Sequence, residues 1–210
     1  MILINHRINS TEQLSEVPLE NGAEIDVRYH ENDLILEHDP FRHHLKKNTL
    51  LRDFLKHWKN DGPLILNVKT EGIELECIKL MNEFKIEKWL FLDLSMPFFA
   101  IYAEKAIQGE IEGFSPENLA VRYSEREPIE YAISFQGKAK WVWVDCFTFL
   151  PLNGEIINIL KKFEFKICIV SPELQHHDKS RIEEFKLKLK GNCVDAICTK
   201  FPNLWVKSDV

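Results

Sequence analysis

The chain has 210 residues, of which 45% are hydrophobic and 11% aromatic, and its formal net charge is −6. This composition allows a large buried core, while the acidic balance argues against a nucleic-acid partner, because binding a phosphate backbone needs a concentrated basic surface. No apolar run approaches the roughly 20 residues of a transmembrane helix, and the first residues, MILINHRINS, do not resemble a secretory signal, so we expect a cytoplasmic protein.

Short apolar runs alternate with amphipathic segments along the whole chain, and no linker or repeat divides it. The predicted strands are residues 2–6, 23–27, 64–68, 88–94, 119–123, 141–145, 165–170 and 194–199. The helix-like segments between them are residues 49–59, 71–84, 97–107, 128–135, 153–163 and 179–190, and LILEH (34–38) is an extra strand tied to the second run.

This alternation predicts a parallel β/α architecture, and the number of strands favours a closed (β/α)8 barrel formed by one domain over residues 1–210. A doubly wound open sheet is the alternative. That fold requires a glycine-rich turn after the first strand, and HRINS (6–10) is not such a turn.

Strand alternation predicts which side chains reach the mouth of such a barrel, where the inner face should change from apolar to polar. The predicted inward sets are Ile2, Ile4 and His6; Glu24 and Asp26; Leu34, Leu36 and His38; Ile65, Asn67 and Lys69; Trp89, Phe91 and Asp93; Trp141, Trp143 and Asp145. In five of the six sets the polar residues follow the apolar ones, and the set of Glu24 and Asp26 is polar throughout; core packing alone does not explain this pattern.

Glu24 and Asp26 lie two residues apart on one strand face, where two carboxylates repel each other unless a cation lies between them. A hard divalent ion, Mg²⁺ or Ca²⁺, is the natural occupant, with Asn67 as a third oxygen ligand. Alternatively, the two acids simply pair with nearby basic side chains. Lys69 is positioned to contact a phosphate oxygen.

His6 and His38 end two different runs, in phase with the inner faces. Two imidazoles across a cavity can serve as general base and general acid, because their pKa lies near the working pH. A histidine at the end of a strand is more often structural, but the convergence of two on an acidic pair favours the catalytic interpretation.

These segments, in this order, resemble the glycerophosphodiester phosphodiesterase family. They are H-R at 6–7, E-x-D at 24–26, H-D-P at 38–40, N-x-K at 67–69 and VDAICTKFPNL at 194–204. The family pattern reads H-R-G, E-x-D-V, H-D, E-x-K and a final D-G-I-x-T-D-x-P, so the resemblance spans the chain from His6 to Leu204.

The resemblance implies a TIM (β/α)8 barrel of the PLC-like phosphodiesterase type with a divalent metal. It also implies that His6 and His38 exchange protons while a phosphodiester is cleaved. By the same resemblance, Arg7 and Lys69 contact the phosphate, and Glu24 and Asp26 are metal ligands.

Departures from the family pattern affect the expected site and substrate. Ile8 replaces the glycine of H-R-G, and the interval between His38 and Lys69 has no room for the insertion that many members carry. In this the chain is similar to the compact branch that contains the spider-venom sphingomyelinases D. Asn67 replaces a carboxylate, which predicts weaker metal binding unless Asp93 or Asp145 supplies the missing acid.

Further candidates are less tightly tied to the family pattern. Asp145 and Arg122 are expected to contact substrate hydroxyl, amine or phosphate groups, and Trp143 to supply an apolar wall or to belong to the core. The pairs His43-His44 and His176-His177 are expected not to bind metal, and Asn9-Ser10-Thr11 is a glycosylation pattern without meaning in a protein that is not secreted. Five cysteines without a C-x-x-C pair are typical of reduced thiols in a core.

The sequence thus predicts a metal-dependent phosphodiesterase that acts on a phosphodiester of a sugar, polyol or lipid head group. A catalytically weak barrel that binds a phosphorylated ligand is the alternative, kept open by Asn67. A lyase that releases a cyclic phosphate is another. The oligomeric state is left open.

Overall fold

A computed structural model of the chain describes residues 1–40 and 48–206, so the predicted pair His43-His44 lies outside the described residues. The strands are β1 (Ile2–Asn5), β2 (Gly22–His30), β3 (Asp33–Leu36), β4 (Thr49–Leu50), β5 (Leu64–Val68), β6 (Trp89–Leu92), β7 (Ala120–Tyr123), β8 (Trp141–Val144), β9 (Lys166–Val170) and β10 (Ala196–Thr199). Every predicted strand is present. The structure has one further strand, β4, which was not predicted because it has only two residues.

The parallel strands of the described residues follow the order β6-β5-β2-β1-β10-β9-β8-β7. A parallel bridge between Phe91 and Leu119 joins β6 to β7 and brings the two ends of this order together. β3 and β4 extend β2 as antiparallel strands outside the ring. The TIM-barrel prediction is therefore confirmed, with a narrow junction between β6 and β7.

The helices are α1 (Thr11–Ser15), α2 (Leu51–Leu55), α3 (Glu74–Glu83), α4 (Met96–Gln108), α5 (Ile129–Ile133), α6 (Gly154–Lys162), α7 (Arg181–Leu189) and α8 (Pro202–Trp205). The predicted segments contain α2, α3 and α5 to α7, and α4 extends one residue beyond its predicted segment at each end. The short helices α1 and α8 were missed because one turn carries no periodic pattern. Their local signals are a Ser10 cap, whose hydroxyl accepts from the Gln13 amide, and Pro202 at the first turn.

The strand register shows which side chains line the interior, because residues paired on parallel strands point to the same face. Glu24 pairs with Ile65, and Asp26 pairs with Asn67. Ile65 pairs in turn with Leu90, and Asn67 with Leu92. Leu90 and Leu92 therefore share the interior with the two acids.

The prediction that Trp89 and Phe91 face inward is wrong for this reason. Both rings lie on the outer face of β6 and contact Phe114, with ring centroids 6.1 Å apart in each case. Asp93 reaches the mouth by a different route, because its backbone turns into the left-handed region at φ 59° directly after β6. Asp93 was therefore predicted to lie at the mouth, which is correct, but from a strand alternation that does not hold for β6.

No helix of residues 1–40 and 48–206 is long and apolar enough to cross a membrane.

All five cysteines lie within the described residues and are free thiols; Cys193 is exposed and the other four are buried. The expectation of reduced core thiols therefore agrees with four of the five, whereas Cys193 lies outside the core.

The start of β2 depends on a close backbone contact at Gly22. A Cβ atom at this position would lie 2.4 Å from the Pro63 carbonyl oxygen, which accepts the Ala23 amide at 3.1 Å. We expect Gly22→Ala to lower the free energy of unfolding by about 2 kcal/mol or more, measured by urea denaturation. Gly154→Ala is the control, because its Cβ would meet only the Asn192 side chain at 3.3 Å; a similar loss in both variants would contradict the backbone argument.

Candidate active site

The mouth of the barrel brings together the side chains predicted from β1, β2 and β5. His6 Nε2 lies 3.7 Å from Glu24 Oε2, and Asn67 Nδ2 donates to Glu24 Oε1 at 2.8 Å. Lys69 Nζ lies 3.6 Å from Asp26 Oδ1. Glu24 and Asp26 are 1% and 0% exposed, so two carboxylates are buried side by side and are stabilised by the donors around them.

The loop after β1 supplies two of these donors. The Arg7 amide donates to Glu24 Oε2 at 2.7 Å, and its side-chain Nε lies 3.7 Å from Asp26 Oδ2. Arg7 adopts φ 57° to do so, a conformation that is uncommon outside glycine. The loop is therefore folded back over the acids rather than directed away from them.

Asn9 is a site residue that the sequence analysis missed. Its Nδ2 donates to Asp26 Oδ2 at 2.8 Å, and its Oδ1 accepts the Asp26 amide at 2.8 Å. This two-point contact fixes both the side chain and the backbone of Asp26. The sequence contained only a weak signal, an amide two residues after Arg7 in the loop that returns toward β2.

Arg28 is a second missed residue, and it positions His38. Its guanidinium donates to the His38 carbonyl at 2.8 Å and to the Lys69 carbonyl at 3.2 Å, so it joins the segment after β3 to the end of β5. His38 Nδ1 lies 2.8 Å from Asp39 Oδ1. Because an ionised carboxylate only accepts, Asp39 holds the proton on Nδ1 and leaves Nε2 available to the substrate.

The two predicted proton carriers differ in their surroundings. Burial, and then the positive charges of Arg7, Lys200, His38 and Lys69, lower the pKa of His6 to about 3. His6 is therefore a neutral imidazole near pH 7, as a general base must be. His38 has 37% of its side chain exposed and lies at the rim.

Glu24 shows the opposite effect. Burial, and then the charge of Asp26, raise the pKa of Glu24 to about 7, against the hydrogen bonds from Asn67 and the Arg7 amide. A carboxyl group with this pKa is close to half protonated at neutral pH. A cation beside it would favour the ionised form.

The oxygen atoms in this region are suited to a hard divalent ion. Asp26 Oδ1 and Asn67 Oδ1 are buried without a hydrogen-bond partner among the described residues, and the two residues are paired across β2 and β5. With the Glu24 carboxylate they form an all-oxygen donor set of the kind that Mg²⁺ and Ca²⁺ prefer. The described part of the chain contains no group of three or more His, Cys, Asp or Glu side chains that could hold a metal ion, and the candidate set here combines two carboxylates with the neutral Asn67.

Asp93 and Asp145 do not join the buried acids but surround Arg122. Arg122 Nη1 donates to Asp93 Oδ1 at 3.0 Å, and Nη2 lies 2.9 Å from Asp145 Oδ2. Lys69 Nζ lies 3.6 Å from both Asp93 and Asp26, so an ammonium group lies between the two sets of acids. The positive charge of Arg122 is accordingly already shared between carboxylates.

A cavity of about 470 Å³ opens beside this arginine, near the junction of β6 and β7. Its wall combines Asp93, Arg122 and Glu127 with the apolar or aromatic side chains Met96, Phe99 and Tyr131. Trp143 is in register with Arg122 on the inner face and is only 5% exposed. Trp143 is buried beside Arg122 and does not line the cavity.

Glu24 and His6 together generate a prediction about pH and stability in the absence of divalent metal. The raised pKa of Glu24 contributes stability that is fully present below about pH 4.5 and is lost as the pH rises through 7. The lowered pKa of His6 contributes stability that is present above about pH 6.5 and is lost as the pH falls toward 3. Between pH 4.5 and 6.5 the two effects oppose each other.

We therefore expect the two variants to show opposite slopes relative to wild type when urea denaturation is followed from pH 4.5 to 6.5 in chelator. Glu24→Gln should lose stability on acidification by up to about 1.4 kcal/mol per pH unit, and His6→Gln should gain by a similar amount. Parallel curves for both variants and wild type would show that neither pKa is shifted.

Comparison with known proteins supports the fold. No protein-family model and no curated protein matches the sequence. Among solved structures, a glycerophosphodiester phosphodiesterase from Agrobacterium tumefaciens is 13% identical, with 98% of this chain and 99% of that chain covered at a TM-score of 0.68. A glycerophosphoryl diester phosphodiesterase from Parabacteroides distasonis is 14% identical, with 95% and 82% covered at a TM-score of 0.65. The chain therefore has the TIM-barrel fold of the glycerophosphodiester phosphodiesterases, as its motifs predicted.

Proposed function

We propose that the protein is a phosphodiesterase that cleaves a phosphodiester of a sugar, polyol or lipid head group at the barrel mouth. The observation that carries this proposal is His6 beside the buried acids Glu24 and Asp26, with His38 at the rim of the same mouth. His6 lies 3.7 Å from Glu24, and His38 is close enough for its charge to lower the pKa of His6. The names of the structural neighbours support the same class of reaction.

The two histidines would divide the proton transfers. His6, which is neutral near pH 7, accepts the proton of the attacking hydroxyl. His38 would act as the imidazolium: its Nδ1–H is held by Asp39, and its Nε2–H passes to the departing alcohol, which leaves His38 neutral with its proton on Nδ1. The attacking hydroxyl belongs either to water, which gives an open monoester, or to the substrate itself, which gives a cyclic phosphate. Positioned groups of this kind typically contribute 10²–10⁴-fold each.

Arg7 and Lys69 would neutralise the phosphate during the reaction. Both cations lie within 3.7 Å of Asp26, so they are already oriented over the acids before the substrate enters. Groups that are preorganised toward developing negative charge usually provide the largest part of catalysis in such sites. The cavity beside Asp93 and Arg122 is the natural location for one of the two alcohols.

Glu24, Asp26 and Asn67 would hold a divalent ion, Mg²⁺ or Ca²⁺. When bound, the ion supplies positive charge that polarises a phosphoryl oxygen and lowers the pKa of Glu24. The hydrogen bond from Asn67 Nδ2 to Glu24 supports an alternative, a weakly active barrel that binds a phosphorylated ligand, because an amide donor occupies the position of a third acid.

The proposal is tested by assaying a panel of phosphodiesters with Mg²⁺ or Ca²⁺ against His6→Ala and His38→Ala. Each substitution should lower kcat about 10²-fold or more, because one proton transfer loses its catalyst. His57→Ala is the control, since this histidine contacts the Asp53 carbonyl on the surface of α2. Undiminished turnover in both site variants would contradict the mechanism, and phosphorus NMR of the product distinguishes a cyclic phosphate from a monoester.

Asn67→Glu provides an independent test of the metal site. A third carboxylate beside Glu24 and Asp26 should tighten Mg²⁺ or Ca²⁺ binding by about tenfold or more and lower the melting temperature in chelator, because like charges then repel one another. Calorimetric titration measures the first effect and thermal denaturation the second. Asn67→Leu, which removes the oxygen, should weaken binding; unchanged affinity in both variants would show that Asn67 is not a ligand.

A further inference from the structure

Lys200 continues the inner face of β10 into the mouth of the barrel. Ala196 pairs with Ile2, and Cys198 pairs with Ile4, on the face that leads to His6. The His6 amide donates to the Thr199 carbonyl at 3.1 Å, which carries the pairing to the end of both strands. Lys200 therefore occupies the same level and the same face as His6, and its charge helps to lower the pKa of that histidine.

The backbone around Lys200 is held by a buried carboxylate. Glu173 Oε1 accepts the Thr199 hydroxyl at 2.6 Å and the Lys200 amide at 2.9 Å. The other oxygen of Glu173 accepts the Ser171 hydroxyl, and Ser171 Oγ accepts the indole N–H of Trp205 at 2.9 Å. This network connects the ends of β9 and β10 to α8. The backbone that presents Lys200 is thus fixed before any ligand binds.

Lys200 differs from the other cations of the mouth in its pairing. Arg7 lies 3.7 Å from Asp26, and Lys69 lies 3.6 Å from both Asp26 and Asp93. Lys200 is exposed, and its side chain forms no ion pair with the acids of the described residues. Its ammonium group is therefore the cation of the mouth that is not already paired with a carboxylate in this part of the chain.

We propose that Lys200 binds a second anionic group of the substrate, a phosphate or a carboxylate carried by one of the two alcohols of the phosphodiester. This proposal rests on the proposed function and narrows its substrate class. β10 lies across the barrel from the β6–β7 junction, where the cavity opens. The anionic alcohol therefore lies over β1 and β10, and the other alcohol enters the cavity.

The sequence contains a related signal. TKFP (199–202) has lysine where the resembling pattern T-D-x-P has an acid, and Asn67 has already removed another acid from the mouth. Both changes make the mouth more positive. A more anionic substrate would be favoured by such a mouth.

The test uses three 4-nitrophenyl phosphodiesters that share their leaving group, with ethylene glycol, glycolate or ethylene glycol monophosphate as the other alcohol. Wild type should prefer the two anionic esters. Lys200→Met should lower kcat/KM for these by about tenfold or more, because a charge-assisted contact is lost, and change the neutral ester less than threefold. Lys200→Arg should retain the preference, and the relative rates of the two anionic esters distinguish carboxylate from phosphate.

Lys179→Met is the matched control, since this exposed lysine lies 5.7 Å from the Phe201 ring and is not on the inner face. It should leave all three rates unchanged. An equal loss on all three esters in Lys200→Met would overturn the proposal, because the lysine would then act on the reacting phosphate or on the fold. A Lys200→Met variant that keeps the wild-type preference for the anionic esters would also overturn the proposal.

If wild type hydrolyses none of the three esters, the proposed function fails and the lysine is tested by binding alone. Calorimetry with the glycol and glycolate esters then gives the answer. Tighter binding of the glycolate ester to wild type, with equal affinities in Lys200→Met, supports the role of Lys200. Equal affinities of wild type for the glycol and glycolate esters would overturn this role.

Discussion

The burial of Glu24 and Asp26 side by side on β2 is the constraint on which the rest of the mouth depends. An unpaired carboxylate away from water is strongly unfavourable, and here two are 1% exposed or less. Every nearby element supplies a donor: the Arg7 amide, Asn9, Asn67 and Lys69. The loop after β1, including the left-handed Arg7, is arranged to stabilise these charges. A site with this organisation is prepared for a cation and for an anionic substrate.

The barrel determines which residues can take part, and it does so through strand register. Arg122, Trp143 and Asp26 all lie on inner positions because their strands are in phase around the ring. Asp93 enters the mouth through a backbone turn instead. The narrow β6–β7 junction, with its bridge between Phe91 and Leu119, leaves space beside Asp93 and Arg122 that becomes the cavity. The way in which the barrel closes between β6 and β7 therefore also shapes the cavity beside Asp93 and Arg122.

The charges of the mouth form two sets with Lys69 between them. On one side are the buried acids of β2, and on the other are the carboxylates around Arg122. This division explains why neither Asp93 nor Asp145 replaces the acid that Asn67 lacks, since an ammonium group lies in between. The third side of the mouth, over β1 and β10, carries Lys200, whose ammonium group forms no ion pair among the described residues, while the Glu173 carboxylate accepts its backbone amide. This uneven distribution of charged side chains around the mouth is the feature of the structure on which the proposed substrate class rests.

From the sequence we could predict where the strands and the longer helices lie along the chain, and the candidate residues His6, His38, Glu24, Asp26, Asn67 and Lys69, because alternation and local motifs are properties of neighbouring residues. Tertiary structure alone decided the contacts that depend on register and loop closure. These include the outward rings of β6, the two-point contact of Asn9 with Asp26, the bond from Arg28 to the His38 carbonyl, and the position of Lys200 beside His6. Such contacts join residues far apart in the chain, and no local pattern encodes which partner a donor will meet.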